Sequence, residues 1–201
     1  MNPTSTSMGV RQAVTERRSI KKFNGEPVPR EAVMEILSDS RFAPNHGKRE
    51  PWRFVAGAGE NLKDIQELIR EFALPTWRDM TPEALERQSG KFMDPGAIVF
   101  AVVPTDARQK ERLEDYMAIA AFMQNAQLLA WEKGIGTCIK TPAYLDHPKF
   151  REALGAKAGE RVIAMLQFGH YDALPKEWAH TPIEDKVMFY SADASASDTS
   201  K

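Results

Sequence analysis

The stretch YMAIAAFMQNAQLLAWEKGIGTCIKT, from Tyr116 to Thr141, decides how this chain is built. Helical spacing runs from Glu111 to Lys133, and between Tyr116 and Trp131 apolar residues occupy almost every face. A helix that is apolar all round is surrounded by protein, so it belongs at the centre of the domain or of a subunit interface. Its Gln124, Asn125 and Gln127 then need buried partners. Gly134-Ile135-Gly136 turns the chain, and Thr137 to Ile139 reads as a short strand.

Upstream, apolar residues recur at helical spacing at Val10, Ala13 and Val14, and again at Val33, Ile36 and Leu37 behind Pro29, which suits a first helical turn. A third helix carries Leu62, Ile65, Leu68, Ile69 and Phe72 on one face. Strands are predicted at Arg53 to Ala56, at Ala97 to Val103 closed by Pro104, and at Val162 to Phe168 ended by Gly169. Asp146 reads as the N-cap of a helix that runs to Leu154 and stops at Gly155. Helices and strands mix without the regular alternation of a doubly wound sheet, which predicts an α+β fold.

One segment, Pro75 to Pro95, is polar with Trp77, Met80, Phe92 and Met93 scattered through it. It is too long for a simple connector and reads as a lid or binding loop, or else as a surface packing loop. The ends carry little to bury: Asn2 to Ser7 is Pro, Thr and Ser, and Ser191 to Lys201 has no large apolar residue. Residues 1–8 and 191–201 are therefore expected to be disordered tails around one domain at 9–190.

The chain has 201 residues, 27 Lys and Arg against 28 Asp and Glu, a net charge of −1, and 42% hydrophobic residues. That balance supplies no global field for nucleic acid or an anionic membrane, so any anion must be held by a local cluster. The longest apolar run, Ala97 to Val103, falls far short of the ~18 residues of a membrane span. The polar start lacks a signal peptide's apolar stretch, so a soluble, cytoplasmic protein is expected. Cys138 is the single cysteine and the four histidines are scattered, so neither a disulfide nor a metal site is expected.

Chemistry concentrates in three places. Arg17-Arg18-Ser19-Ile20-Lys21-Lys22-Phe23 packs four cations and a hydroxyl into its first six residues, where the first helix ends. Guanidinium forks, ammonium groups and a hydroxyl can converge on a phosphate, and the plain alternative is a solvated basic face at a helix C-terminus. Ala43-Pro44-Asn45-His46-Gly47-Lys48-Arg49-Glu50-Pro51-Trp52-Arg53-Phe54 is a rigid polar loop entering a strand, with Trp52 and Phe54 as core anchors and His46 either a ligand or a surface residue. Gly134 to Pro142 has two glycines for close backbone approach, and Lys140 and Thr141 close the strand. It is neither GxGxxG nor a Walker loop, and Cys138 reads as an inert buried thiol.

Taken in order, these segments resemble the nitroreductase family of FMN-dependent oxidoreductases. Arg17-Arg18-Ser19-x-Lys21-x-Phe23 is similar to its opening flavin motif, Ala43-Pro44 to Pro51-Trp52-x-Phe54 to its second segment, and Gly134-Ile135-Gly136-Thr137 to its late glycine turn. Gly169-His170-Tyr171 through Pro175 resembles its closing strand and loop. The resemblance implies a central, mostly antiparallel sheet surrounded by helices, in an interlocked homodimer with two FMN sites at the subunit interface.

On that resemblance Arg17, Arg18 and Ser19 hold the flavin phosphate, and Lys21 sits near the pyrimidine edge, where a cation stabilises the reduced ring. His46 comes from the partner chain, and Ile139, Lys140 and Thr141 line the isoalloxazine. Two departures stand out. Lys48 and Glu50 replace the Asn and Gln of many members, and Lys176-Glu177-Trp178-Ala179-His180 stands where late arginines commonly complete the phosphate clamp. Lys176 is the candidate substitute, ahead of Lys149 and Arg151.

The implied activity is hydride transfer from NADH or NADPH through FMN to a nitroaromatic, a quinone or a similar small acceptor. The flavin carries the chemistry, so no catalytic side-chain pair is required. Two rivals remain at this level: a flavin-binding carrier or sensor, and a dimeric scaffold without cofactor.

Overall fold

The computed structural model describes residues 8–190, and both segments expected to be disordered lie outside that range but for Met8. Met8 is half-buried and packs against the cluster of Ile20, Phe23, Trp131 and Cys138. Among the described residues six α-helices are formed: α1 (Val10–Glu16), α2 (Arg30–Ser40), α3 (Leu62–Ala73), α4 (Pro82–Met93), α5 (Gln109–Glu132) and α6 (Pro148–Ala153). Four strands, β1 (Arg53–Ala58), β2 (Ala97–Pro104), β3 (Gly136–Lys140) and β4 (Glu160–Gly169), make one sheet in the order β1-β2-β4-β3.

Every pairing in the sheet is antiparallel. The sheet is nevertheless covered on both faces, and its central strand β2 reads as an unbroken apolar run because alternate residues enter different cores. Val99 packs with α2 and α5 through Val33, Ile36, Ala126 and Ala130. Ile98, Phe100 and Val102 pack with α3, α4 and α6 through Ile69, Phe92 and Phe150. Each fully buried side chain of this size contributes roughly 1.5–3 kcal/mol. The register slips between Ala101 and Val102, so Val162 of β4 joins the second core while Ala164 joins a third cluster with Ala101, Val103, Ile119 and Phe122.

Within the single chain, helix α5 is covered on one side. Ile119, Phe122, Ala126 and Ala130 are buried, Gln127 donates to the Thr137 hydroxyl at 3.3 Å, and Asn125 donates to the Ser40 carbonyl at 3.5 Å. The other side carries Leu113 at 59% and Met117 at 65% exposure, with Ala120 and Gln124 exposed along the same line. The helix ends at Gly134, whose φ of +71° lets Ile135 N–H reach back to the Ala130 carbonyl at 2.9 Å.

Two local expectations are corrected. The polar segment Pro75 to Pro95 is not an irregular loop: it contains α4, with Thr81 as N-cap accepting from Ala84 N–H at 3.3 Å and Pro82 in the first turn. Phe92 is buried in the core, and Trp77 is sandwiched between the Arg70 and Arg78 guanidiniums at 4.1 and 4.5 Å. Asp146 does not cap α6; His147 occupies that position, and Asp146 accepts a forked bond from Arg161 at 3.1 and 2.8 Å. Gly155, with φ +77°, follows α6 as expected.

Candidate functional site

After α1 the chain runs along the outer edge of β3. Ser19 forms a parallel bridge with Thr137, and Ile20 N–H donates to the Thr137 carbonyl at 2.9 Å. A few residues on, Asn24 N–H donates to the His170 carbonyl at 3.0 Å. The opening basic segment, the glycine-turn strand and the closing segment, far apart in sequence, are therefore side by side. Glycine makes this closeness possible: a Cβ on Gly136 would stand 2.6 Å from Ile20 Cγ1 and 2.7 Å from Tyr171 Cδ1, and one on Gly169 would stand 2.6 Å from Phe23 Cδ1.

The members of the basic segment differ in what they can still bind. Arg17 is half-buried, yet its Nε and Nη1 are shut off from solvent with no hydrogen-bond partner. Burial, and then the neighbouring Arg18 charge, push its pKa below the ordinary guanidinium value. Buried donors without acceptors cost free energy, and an anion at this position would satisfy them. Ser19 and Lys21 are exposed beside it.

Arg18 is engaged otherwise. Its Nη1 donates to the carbonyls of Thr15 and Glu16 at 2.8 Å and of Arg17 at 3.1 Å, closing the C-terminus of α1, and its Nη2 meets Glu177 at 3.2 Å. The alternative of a helix-end cation thus describes Arg18, while Arg17 keeps buried donors without partners. Lys176 is exposed, and it is Glu177, an acid, that lies against the cluster.

His46 sits on a 3₁₀ turn at His46–Lys48, exposed and with its imidazole outside any hydrogen bond among the described residues. Its loop is held rigidly. Arg49 donates to Asp115 at 3.2 and 2.8 Å and to Glu114 at 3.1 Å, and Glu50 N–H donates to Asn45 Oδ1 at 3.0 Å. The flanking Lys48 and Glu50 adopt φ of +54° and +47°, a conformation that non-glycine residues keep only under such constraint.

Strand alternation divides the expected ring-lining residues. Ile139 shares its face with Thr137 and is partly exposed, whereas Lys140 lies opposite Met165 and turns into a cavity of about 360 Å³ on the α3 and α4 side of the sheet. Thr141 lines a separate cleft of about 280 Å³ with Tyr116, Asp146 and Arg161. Lys91, from the last turn of α4, also lines the Lys140 cavity. The sequence reading missed it because α4 was read as a loop, although Thr81-Pro82-Glu83 is a legible helix start. Cys138 is buried, as expected. Among the described residues no three His, Cys, Asp or Glu side chains are gathered to hold a metal, and no helix is long and apolar enough to cross a membrane.

A four-stranded antiparallel sheet clad by helices on both faces, with a cation-rich segment bridged to its edge strand, defines an α+β domain prepared to hold an anionic ligand. The Nitroreductase family matches residues 14–170, and this chain belongs to that family of oxidoreductases. It is 34% identical over 178 residues, 88% of this chain and 92% of the other, to the Bacillus subtilis (strain 168) protein named "Putative NAD(P)H nitroreductase YfhC". The crystal structure of a nitroreductase-like family protein from Bacillus cereus superposes with a TM-score of 0.80 at 33% identity, covering 94% of this chain and 99% of that one. A nitroreductase with bound FMN from Bacteroides fragilis NCTC 9343 has the same fold, with a TM-score of 0.68 at 19% identity over 90% of this chain and 98% of that one.

Proposed function

We propose that this chain is an FMN-dependent oxidoreductase that draws hydride from NADH or NADPH and reduces a small acceptor such as a nitroaromatic or a quinone. The observation that carries the reading is the pair of buried, unpartnered donors on Arg17 beside the Ser19–Thr137 bridge. They fit the phosphate of FMN, which when bound supplies the two-electron chemistry. Family membership and the NAD(P)H nitroreductase name of the Bacillus subtilis relative support the same reading.

In this reading Arg17 and Ser19 grip the phosphate, and Lys21 holds a positive charge where a ring gaining electrons needs one. Ile139, near the end of β3, faces the ring, with Thr141 at its margin. Arg18 positions Arg17 by closing the helix end. A second copy of the chain is part of the proposal, contributing His46 across the interface. It is supported by the exposed Leu113 and Met117 stripe of α5 and by an outlying C-terminal segment in which Trp178, Met188, Phe189 and Tyr190 are 76–92% exposed. A cytoplasmic working place accompanies the use of nicotinamide nucleotides.

The purified protein's spectrum is the test. A flavin absorbance that NADH or NADPH bleaches under anaerobic conditions, and that an added nitroaromatic restores, is the expected result. A protein that FMN titration cannot turn yellow overturns the reading in favour of a cofactor-free scaffold, the alternative that Glu177 beside Arg18 favours. Bound flavin that neither nucleotide bleaches leaves a carrier or sensor.

A further inference from the structure

The closing segment returns along the basic segment and is clasped to it at both ends. At one end Asn24 N–H donates to the His170 carbonyl at 3.0 Å, and Asn24 Nδ2 donates to Asp172 Oδ1 at 3.2 Å. Tyr171, between those two acceptors, stacks on Trp131 with the ring planes 8° apart and the centroids at 6.1 Å. At the other end Arg18 Nη2 donates to Glu177 Oε1 at 3.2 Å. Among the described residues this is the only ion pair made by any of the cations from Arg17 to Lys22.

The pair is placed to oppose an incoming anion. Nη1 of Arg18 is committed to the carbonyls of Thr15, Glu16 and Arg17, so Nη2 is the end of the fork that an anion can reach, and Glu177 holds it. The unpartnered donors of Arg17 are close by, near enough for the Arg18 charge to act on Arg17. A carboxylate at this place occupies one donor and sets a negative charge beside the position where Arg17 lacks an acceptor. The contact can also yield. Glu177 leaves 82% of its side chain exposed, and exposed ion pairs contribute little, whereas a phosphate can engage two guanidiniums at once.

We infer that Glu177 is a specificity-determining residue: it competes with the flavin phosphate for Arg18 and so lowers the preference of the site for FMN over riboflavin. The inference rests on the flavin reading for the ligand, but the competition for an anion stands apart from it. The probes are FMN, riboflavin and inorganic phosphate, added to the full-length protein prepared without flavin. Riboflavin has the same ring and ribityl chain without the phosphate, so the ratio of the two dissociation constants isolates what the phosphate feels. Fluorescence titration at low and high salt gives that ratio, and the rise in melting temperature reports inorganic phosphate.

Glu177→Gln should raise the preference for FMN by about fivefold at low salt, through FMN and not riboflavin, and Glu177→Asp should keep it within about twofold of the wild type. High salt should shrink the gain, because screening weakens exposed charges. An unchanged ratio, or equal gains for FMN and riboflavin, would overturn the inference, since Glu177 would then act on the fold and not on the phosphate. So would weaker FMN binding by Glu177→Gln, which would make Glu177 a support that holds Arg18 in place. Where neither flavin binds but inorganic phosphate stabilises Glu177→Gln more than the wild type, the flavin reading falls and the competition stands. FMN binding with an unchanged ratio does the reverse, and a protein that responds to neither flavin nor phosphate overturns both.

Discussion

Replacing Arg17 with alanine should have opposite effects on the free and the FMN-bound protein. In the free chain the guanidinium has two buried donors, Nε and Nη1, without acceptors. An unsatisfied buried donor costs about 1–3 kcal/mol, and because the residue is only half-buried the low end applies, about 1 kcal/mol. Removing it offsets the packing lost with the side-chain stem. For a chain of this size about 1 kcal/mol corresponds to roughly 2–4 °C in Tm, so the free variant should melt within that interval of the wild type, or above it.

The bound state should behave in the other sense. A hydrogen bond from a charged donor contributes about 1.5–3 kcal/mol, so losing the Arg17 grip on a phosphate should weaken FMN binding ~10- to 150-fold. Fluorescence titration of FMN gives the affinity, and thermal melts with and without FMN give the two stabilities. The wild type should gain Tm on adding FMN, and the variant should gain much less. Unchanged FMN affinity would refute the placement of the phosphate. A free variant that melts far below the wild type would show that Arg17 is a structural residue whose donors are satisfied in solution.

Three further outcomes are expected. Gly136→Ala sets a methyl group against Ile20 and Tyr171, so the basic segment should be pushed from β3; FMN affinity should fall by more than tenfold while far-ultraviolet circular dichroism retains the native helix content. Met117→Glu places a charge on the exposed apolar stripe of α5, and sedimentation should show a monomer with weakened FMN retention; an unchanged dimer would mean that the stripe lies outside the interface. Glu160, from β4, accepts from Arg53 of β1 across the end of β2, and that contact, ahead of all other causes, lowers its pKa to about 2. A depressed carboxylate stabilises the fold above its unfolded value near 4.3, and this contribution is lost as pH falls towards 2. Stability of the wild type should therefore decline over that window, and Glu160→Gln should flatten the decline; parallel pH profiles for the two proteins would count against the Arg53 contact.

The fold was largely legible because its main signals are local. The apolar surround of Tyr116 to Trp131, the run Ala97 to Val103 and the turn at Gly134 each declare an element within a few residues. Where reading failed, a weaker local signal was outvoted by composition. Polar surface residues from Glu83 to Gln88 concealed α4, although its Thr81-Pro82-Glu83 start was visible. At the end of the 3₁₀ turn Ala143–Asp146, the acid that looked like a cap had a better partner in Arg161 on a strand it meets only after folding.

The candidate site divides in the same way. Four cations between Arg17 and Lys22 announce an anion, and a net charge of −1 says that the attraction is local. Sequence alone could not tell Arg17 from Arg18, because the difference is which guanidinium finds the carbonyls of α1 and which is buried against β3 without acceptors. Nor could it put Lys140 with Lys91, since that pairing depends on which face of a pleated strand is turned towards a helix from another part of the chain. By itself, the sequence determined the elements, the core pattern and the types of group available for chemistry, all properties of neighbouring residues. Only the tertiary structure decided which groups remain unsatisfied, because hydrogen-bond partners are assigned by contacts such as Ile20 with Thr137 that no local pattern encodes.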